Sequence, residues 1–134
     1  MAKRVLVIDD DPMIRALVKS ILEPEGLDVA LAEDGLSAIQ ILDDEPKPIG
    51  ISLIILDVVM PGMNGLDVLT RLKIGEATQN IPVLMLTGES KAEDIMSGYS
   101  GGADYYITKP FTRQQLLYGL NLLFQSDQSN NDKE

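Results

Sequence analysis

The first apolar segment of the chain and its polar continuation run Val5-Leu6-Val7-Ile8-Asp9-Asp10-Asp11-Pro12. A continuous apolar run rich in β-branched residues predicts a strand that is buried on both faces, as in a parallel sheet. The proline is suited to the first turn of a helix, where its missing N–H group would have no partner. This stretch therefore predicts a strand followed directly by a helix, with acidic side chains at the junction.

Apolar runs and segments of helical periodicity alternate along the rest of the chain. Such alternation predicts an α/β fold with a doubly wound, five-stranded parallel sheet and helices on both faces. After residues 5–8, the predicted strands are 27–31, 53–56, 83–86 and 105–108, and the predicted helices start at Pro12, after Asp34, near Leu66, at Lys91 and at Phe111. The segment 43–50, which contains two prolines, predicts a loop.

The length of 134 residues is typical of one domain. We expect that domain to occupy residues 1–125 and the polar residues 126–134 to form a disordered tail. The first residues do not resemble a signal peptide, and no apolar run is long enough to span a membrane. We therefore expect a cytoplasmic protein without a membrane partner.

Composition excludes several classes of chemistry. The chain has no cysteine and no histidine, so thiol catalysis, Ser-His mechanisms and His-liganded metal sites are excluded. Its formal net charge is −10, and its few basic residues form no cluster. A chain this acidic repels nucleic acid, so we expect no direct binding to DNA or RNA.

Polar residues follow the ends of the predicted strands. Asp9 and Asp10 follow the first strand, Asp57 the third, Thr87 the fourth and Lys109 the fifth. The carboxyl ends of parallel strands share one edge, where open α/β sheets bind ligands. Taken singly, each residue also has a structural explanation, such as a helix cap, a turn or a solvated lysine. Together they predict one site.

Carboxylates brought together at this edge repel one another and raise one another's pKa. A hard divalent cation offsets that repulsion, and oxygen ligands without histidine or cysteine favour Mg²⁺. A carboxylate beside Mg²⁺ and a lysine is a plausible nucleophile toward phosphorus, and aspartyl phosphate is an established type of covalent intermediate. The sequence thus predicts that Asp57 attacks phosphorus, with Lys109 and Thr87 contacting phosphoryl oxygens.

The chain resembles the bacterial response-regulator receiver family from about residue 3 to residue 124. The resemblance implies a flavodoxin-like (βα)5 fold with strand order 2-1-3-4-5. It rests on residues 5–12 together with three further stretches, Leu56-Asp57-Val58-Val59-Met60-Pro61-Gly62-Met63-Asn64-Gly65, Leu86-Thr87-Gly88 and Ile107-Thr108-Lys109-Pro110-Phe111.

The resemblance also implies a role for each site residue. Asp57 is the expected phosphoacceptor and a metal ligand. The expected Mg²⁺ site, for which Mn²⁺ is a possible substitute, also includes Asp10, the backbone carbonyl of Val59 and, through water, Asp9. Thr87 and Lys109 are expected to contact the phosphoryl group, and Thr87 and Tyr106 to form the switch. The bond between Lys109 and Pro110 is expected to be cis.

The implied function is phosphorelay signalling by a protein that is not an enzyme toward other substrates. Its expected phosphodonor is a histidine kinase or a histidine phosphotransfer protein. Its expected output is contact with an effector protein through the face of the fourth helix, fifth strand and fifth helix. Val59 and Glu89 flank the expected path of attacking water, and we hypothesise that apolar Val59 slows loss of the phosphoryl group.

Three other functions are alternatives to this one. A haloacid-dehalogenase-type phosphatase also uses a strand-end aspartate, but Pro12-Met13 follows Asp11 where that class has Gly-Thr. A flavin-binding module requires a phosphate-binding loop after the first strand, where this chain has three aspartates. The third is a receiver-like scaffold that is never phosphorylated.

Overall fold

The computed structural model describes residues 3–88, 99 and 101–132, with residues 126–132 described by their backbone alone. The strands are β1 (Arg4–Ile8), β2 (Asp28–Ala32), β3 (Ile51–Asp57), β4 (Val83–Thr87) and β5 (Tyr105–Thr108). The helices are α1 (Pro12–Leu22), α2 (Gly35–Asp44), α3 (Gly65–Ile74) and the C-terminal helix (Arg113–Asp132), and a 3-10 turn, Glu23–Glu25, follows α1.

All five strands are parallel and lie in the order β2-β1-β3-β4-β5. This confirms the predicted doubly wound sheet and its flavodoxin-like topology. β1, β3 and β4, each with a run of four apolar residues, occupy inner positions where neighbours cover both edges. Their carboxyl ends are therefore adjacent.

The sheet is covered on both faces, as predicted. One face packs against α2 and α3, and its core includes Leu6, Ile8, Leu42, Val68 and Leu72. The opposite face packs against α1 and the C-terminal helix, and its core includes Val5, Val7, Val18, Leu116 and Leu120. Successive residues from Val5 to Ile8 thus contribute to opposite cores, which explains why this run of β1 contains no polar residue.

Side-chain caps start three helices next to the carboxyl edge of the sheet. Asp11 accepts a hydrogen bond from the N–H of Met13, and Asp34 accepts one from Ser37. Asn64 accepts one from the N–H of Asp67. These caps satisfy amide groups that have no partner within the helix, so each helix begins at a defined residue.

The chain departs from the sequence prediction at its carboxyl end. The polar tail was expected to begin at residue 126, and the helical backbone extends into this segment as far as Asp132. Residues 126–132 contain neither proline nor glycine, so nothing in that segment forces the helix to end. The predicted fourth helix, residues 91–98, lies outside the described residues.

Among the described residues, no helix combines the length and apolar character needed to cross a bilayer.

Candidate functional site

The carboxyl edge of the sheet gathers the predicted site residues. Asp57 and Thr87 are the last residues of β3 and β4, and Asp9 directly follows β1. All three are buried, with exposed fractions of 4%, 0% and 1% for Asp57, Thr87 and Asp9. Buried polar residues at the ends of three strands, in a sheet whose interior is apolar, mark this edge as the candidate site.

Three carboxylates meet there. One carboxylate oxygen from each of Asp9, Asp10 and Asp57 lies within 4.8 Å of the others. At that separation two unit charges repel by roughly 3 kcal/mol if the effective dielectric constant is about 20. Asp10 is exposed whereas the other two are buried, so the cluster opens to solvent on one side. Oxygen ligands with an open side fit a hard divalent cation that keeps some of its water.

Lys109 provides the positive charge that faces this cluster. Its Nζ donates a hydrogen bond to Asp9 Oδ2 over 2.9 Å and lies 3.6 Å from Asp57 Oδ1. Burial lowers the pKa of Lys109, but the bond to Asp9 and the charge of Asp57 outweigh burial, so the net shift is upward. The ammonium group therefore stays charged at neutral pH.

The backbone around Lys109 joins β5 to its neighbour. The N–H of Lys109 donates to the carbonyl of Thr87 over 2.6 Å, which holds these two residues together at the ends of β4 and β5. The peptide bond between Lys109 and Pro110 is cis, as the resemblance implied.

Asp57 lies in an environment that opposes its ionisation. Burial and the charge of Asp9 raise the pKa of Asp57 to about 7, and Asp10 adds a smaller contribution in the same direction. Lys109 and a hydrogen bond from the backbone N–H of Val59 act in the opposite direction. The sequence prediction that clustering raises a pKa holds for Asp57. One lysine does not compensate three carboxylates, which leaves a net negative site suited to a cation.

Asp9 is held from several directions. Its N–H donates to the carbonyl of Ala32, and its Oδ1 accepts from the N–H of Asp11 over 2.9 Å. Arg15 Nη1 donates to the backbone carbonyl of Asp9 over 2.7 Å. Arg15 was not predicted as a site residue, because a single arginine in a predicted helix gives no sign that it bonds to a backbone carbonyl.

Gly65 supports the other side of the site. Its N–H donates to the carbonyl of Val58 over 2.7 Å at the start of α3. A Cβ atom at this position would lie 2.0 Å from the carbonyl oxygen of Asp57 and 2.7 Å from the Cα of Val58. The helix therefore approaches the end of β3 so closely that only glycine fits there.

A cavity of about 390 Å³ lies over the cluster, lined by Asp10, Asp11, Asp57, Val59, Gly88 and Lys109. Val59 is 57% exposed and contributes an apolar side chain to the lining of the cavity that also contains Asp57. Glu89, which was also expected to flank the path of attacking water, lies outside the described residues.

Tyr106 belongs to a different part of the surface. It lies on β5, with its ring centroid 6.1 Å from that of Tyr99 and the two ring planes inclined at 43°. Together with Thr108, Gln115 and Tyr118 it lines a cavity of about 210 Å³ between β5 and the C-terminal helix. The structure thus groups Asp9, Asp10, Asp57, Thr87 and Lys109, and sets Tyr106 in a separate cavity.

Known proteins with this sequence pattern are numerous. The profile of the response regulator receiver domain matches residues 5–121. The chain is 44% identical over 114 residues to the DNA-binding dual master transcriptional regulator RpaA of Synechocystis sp., covering 85% of this chain and 46% of that protein. It is 43% identical over 117 residues to the phosphate regulon transcriptional regulatory protein PhoB of Escherichia coli, covering 87% and 49%. The chain spans about half the length of these relatives.

Solved structures agree with this likeness along nearly the whole chain. The chemotaxis protein CheY4 of Vibrio cholerae matches with a TM-score of 0.84 and 31% identity, covering 92% of this chain and 99% of that one. A CheY-like response regulator receiver domain protein from Methanospirillum hungatei matches with a TM-score of 0.85 and 28% identity, covering 96% and 99%.

Proposed function

Because the chain belongs to the response regulator receiver family, we propose that it accepts a phosphoryl group on Asp57 and signals through this modification. The observation that carries the assignment to Asp57 is its position. It is a buried carboxylate at the end of a central strand, with two further carboxylates and one lysine around it. Asp9 is engaged by Lys109 at 2.9 Å, whereas Asp57 lies 3.6 Å from the same ammonium group and lines the open cavity.

In the proposed reaction a carboxylate oxygen of Asp57 forms a bond to phosphorus. The bond between phosphorus and the donor atom breaks, and its electron pair leaves on the imidazole nitrogen of a phosphohistidine or on the oxygen of a small acyl phosphate. The ammonium group of Lys109 stabilises the negative charge on the phosphoryl oxygens, and the Thr87 hydroxyl donates to one of them. The pKa of about 7 means that Asp57 is partly protonated at neutral pH unless positive charge is added nearby.

Asp10, Asp57, the backbone carbonyl of Val59 and, through water, Asp9 are the proposed ligands of Mg²⁺, with Mn²⁺ as a substitute. When bound, the ion would supply the missing positive charge that keeps Asp57 ionised and neutralises phosphoryl oxygens. The donor set fits this ion because every available ligand atom is oxygen and the cluster is open to solvent on the Asp10 side.

The proposed phosphodonor is a histidine kinase or a histidine phosphotransfer protein. Thr87 and Tyr106 are the proposed switch, which transmits the modification to the face that the resemblance assigns to the fourth helix, β5 and the C-terminal helix. An effector protein is the proposed partner of that surface. The chain is proposed to act on no substrate beyond its own phosphoryl group, and the family assignment gives the phosphatase alternative no support.

The proposal is tested by incubating the protein with acetyl phosphate in Mg²⁺ or in EDTA, followed by intact-mass measurement. We expect the mass of one phosphoryl group to appear in Mg²⁺, and neither in EDTA nor in Asp57→Asn. Asp11→Asn is the matched control, because Asp11 is an adjacent exposed carboxylate that caps α1 and should still permit modification. Equal labelling of Asp57→Asn and the wild type would refute the assignment.

A further inference from the structure

Arg15 is connected to the acidic cluster through the main chain. It lies in the first half of α1, and its Nη1 donates to the carbonyl oxygen of Asp9 over 2.7 Å. That carbonyl belongs to the peptide unit that joins Asp9 to Asp10. Because a peptide unit is planar, a hydrogen bond to its oxygen fixes the orientation of the whole unit, including the N–H of Asp10.

The next peptide unit is fixed as well. It joins Asp10 to Asp11, and its N–H donates to Asp9 Oδ1 over 2.9 Å. The Cα of Asp10 thus lies between two peptide planes, one held by Arg15 and the other by the Asp9 side chain. Since the backbone has only two soft dihedral angles at each residue, these two bonds set the direction in which the Asp10 side chain leaves the chain.

Asp10 is the member of the cluster that most needs this support. Asp9 and Asp57 are buried, and Lys109 contacts both carboxylates. Asp10 is exposed, yet its carboxylate lies within 4.8 Å of theirs. An exposed side chain loses conformational entropy when it binds an ion. A backbone that already directs the side chain toward the site lowers this entropic cost of binding.

We propose that Arg15 is a positioning residue that orients Asp10 toward a divalent cation through the Asp9–Asp10 peptide. This inference rests on the proposed function, since it takes Asp10 to be a metal ligand. Arginine suits the role because its guanidinium is always charged and its planar geometry holds a defined direction. Replacing a residue that holds a metal ligand in its orientation typically lowers metal affinity by about 10- to 100-fold.

The test is calorimetric titration of the unphosphorylated protein with MgCl₂ at pH 8. We expect Arg15→Gln to weaken Mg²⁺ binding by about tenfold, and Arg15→Lys, which retains one charged donor, by only about threefold. Lys19→Gln is the matched control, because Lys19 lies one turn further along α1 and its loss removes the same charge from the same helix. It should bind Mg²⁺ within about twofold of the wild type.

Urea unfolding of each variant in EDTA measures its stability without metal, and so distinguishes a loss of Mg²⁺ affinity from a loss of stability. If Arg15→Gln binds Mg²⁺ as tightly as the wild type, or if Lys19→Gln is weakened equally, the positioning role is overturned while the proposed function stands. If the wild type itself binds no Mg²⁺, both are overturned. Should Arg15→Gln not fold, the comparison of Arg15→Lys with Lys19→Gln decides, and equal affinities would overturn the inference.

Discussion

Asp57 combines a reactive position with an unfavourable electrostatic environment. Its pKa is raised from the ordinary value to about 7, mainly by burial and by Asp9. In the unfolded chain this carboxyl titrates near pH 4, at about 3.9. The folded state therefore favours the protonated form, and any stability that this preference contributes is present below about pH 4 and is lost as the pH rises through about 7.

Asp57→Asn should for this reason stabilise the metal-free protein at high pH. In urea unfolding with EDTA, we expect a gain of about 1–3 kcal/mol at pH 8 and a smaller gain at pH 5, because at pH 5 the wild-type carboxyl is already largely neutral. Asp28→Asn, which removes an exposed carboxylate from β2, should change the free energy of unfolding little at either pH. A destabilised Asp57→Asn at pH 8 would contradict the assigned electrostatics.

Val59 is the second residue whose chemistry is open to test. Its side chain is apolar, 57% exposed and at the mouth of the cavity that contains Asp57. Asparagine there could hold a water molecule near phosphorus, so Val59→Asn should speed dephosphorylation by at least about twofold. Val59→Leu, which has no hydrogen-bonding group, is the control. Decay of the phosphorylated protein can be followed by intact mass, and unchanged or slower decay in Val59→Asn would remove the hypothesis.

Residue types and their positions predicted which side chains meet at the site, but not the hydrogen bonds that hold those side chains in place. Asp9, Asp10, Asp57, Thr87 and Lys109 follow strands in the sequence, and parallel strands bring such positions together. The role of Arg15 depends on where one carbonyl oxygen points after folding, and no spacing in the sequence encodes that direction.

At the scale of secondary-structure elements, the junction of β3 and α3 determines where Asp57 lies. Pro61, Gly62 and Gly65 are residue types typical of a turn, but the sequence does not indicate the close approach of the α3 backbone to β3. It becomes visible only when the Gly65 N–H is seen bonded to Val58 at 2.7 Å. The element types were therefore predictable, whereas their contact distance depends on packing.

Gly65→Ala tests the importance of this contact. A Cβ atom 2.0 Å from the carbonyl oxygen of Asp57 forces the backbone to move, so we expect a loss of about 2–4 kcal/mol in the free energy of unfolding. Gly50→Ala is the control, since its Cβ would meet only Arg4 Nη1 at 3.6 Å. Urea unfolding measures both variants, and a Gly65→Ala protein as stable as the wild type would show that the approach is less tight than described.

Element boundaries also differ from the prediction for physical reasons. β3 starts at Ile51 rather than at residue 53, because Ile51 is buried and pairs with Arg4 of β1. The loop predicted for residues 43–50 starts later, since α2 continues through Asp44. Both shifts reflect tertiary contacts that a local pattern does not contain.

For the whole molecule, the strand order followed from the resemblance, and the two-sided core followed from the continuous apolar runs. The C-terminal helix continues beyond residue 125, as far as Asp132, and the domain limit at residue 125 stays a prediction. Leu123 is the last buried apolar side chain of the C-terminal helix among those described, and the Lys3 ammonium lies 4.3 Å from the ring centroid of Phe124.

Residues 1–125 should accordingly be sufficient for folding. A chain truncated after Gln125 should unfold within about 0.5 kcal/mol of the full-length protein, because polar residues beyond the last core contact contribute little. Leu120→Ala, which opens a cavity in the core, should instead cost about 2–5 kcal/mol. Chemical denaturation of the three proteins makes the comparison, and a truncated chain that loses more than Leu120→Ala would contradict the proposed domain limit.

We propose that Asp57, and no neighbouring carboxylate, becomes phosphorylated. The most direct measurement is proteolysis of protein labelled by acetyl phosphate in Mg²⁺, followed by fragment-ion mass spectrometry of the labelled peptide. We expect the phosphoryl group to map to Asp57, in the peptide that contains the end of β3. A phosphoryl group found on Asp9, Asp10 or Asp11 in the unaltered chain would contradict it.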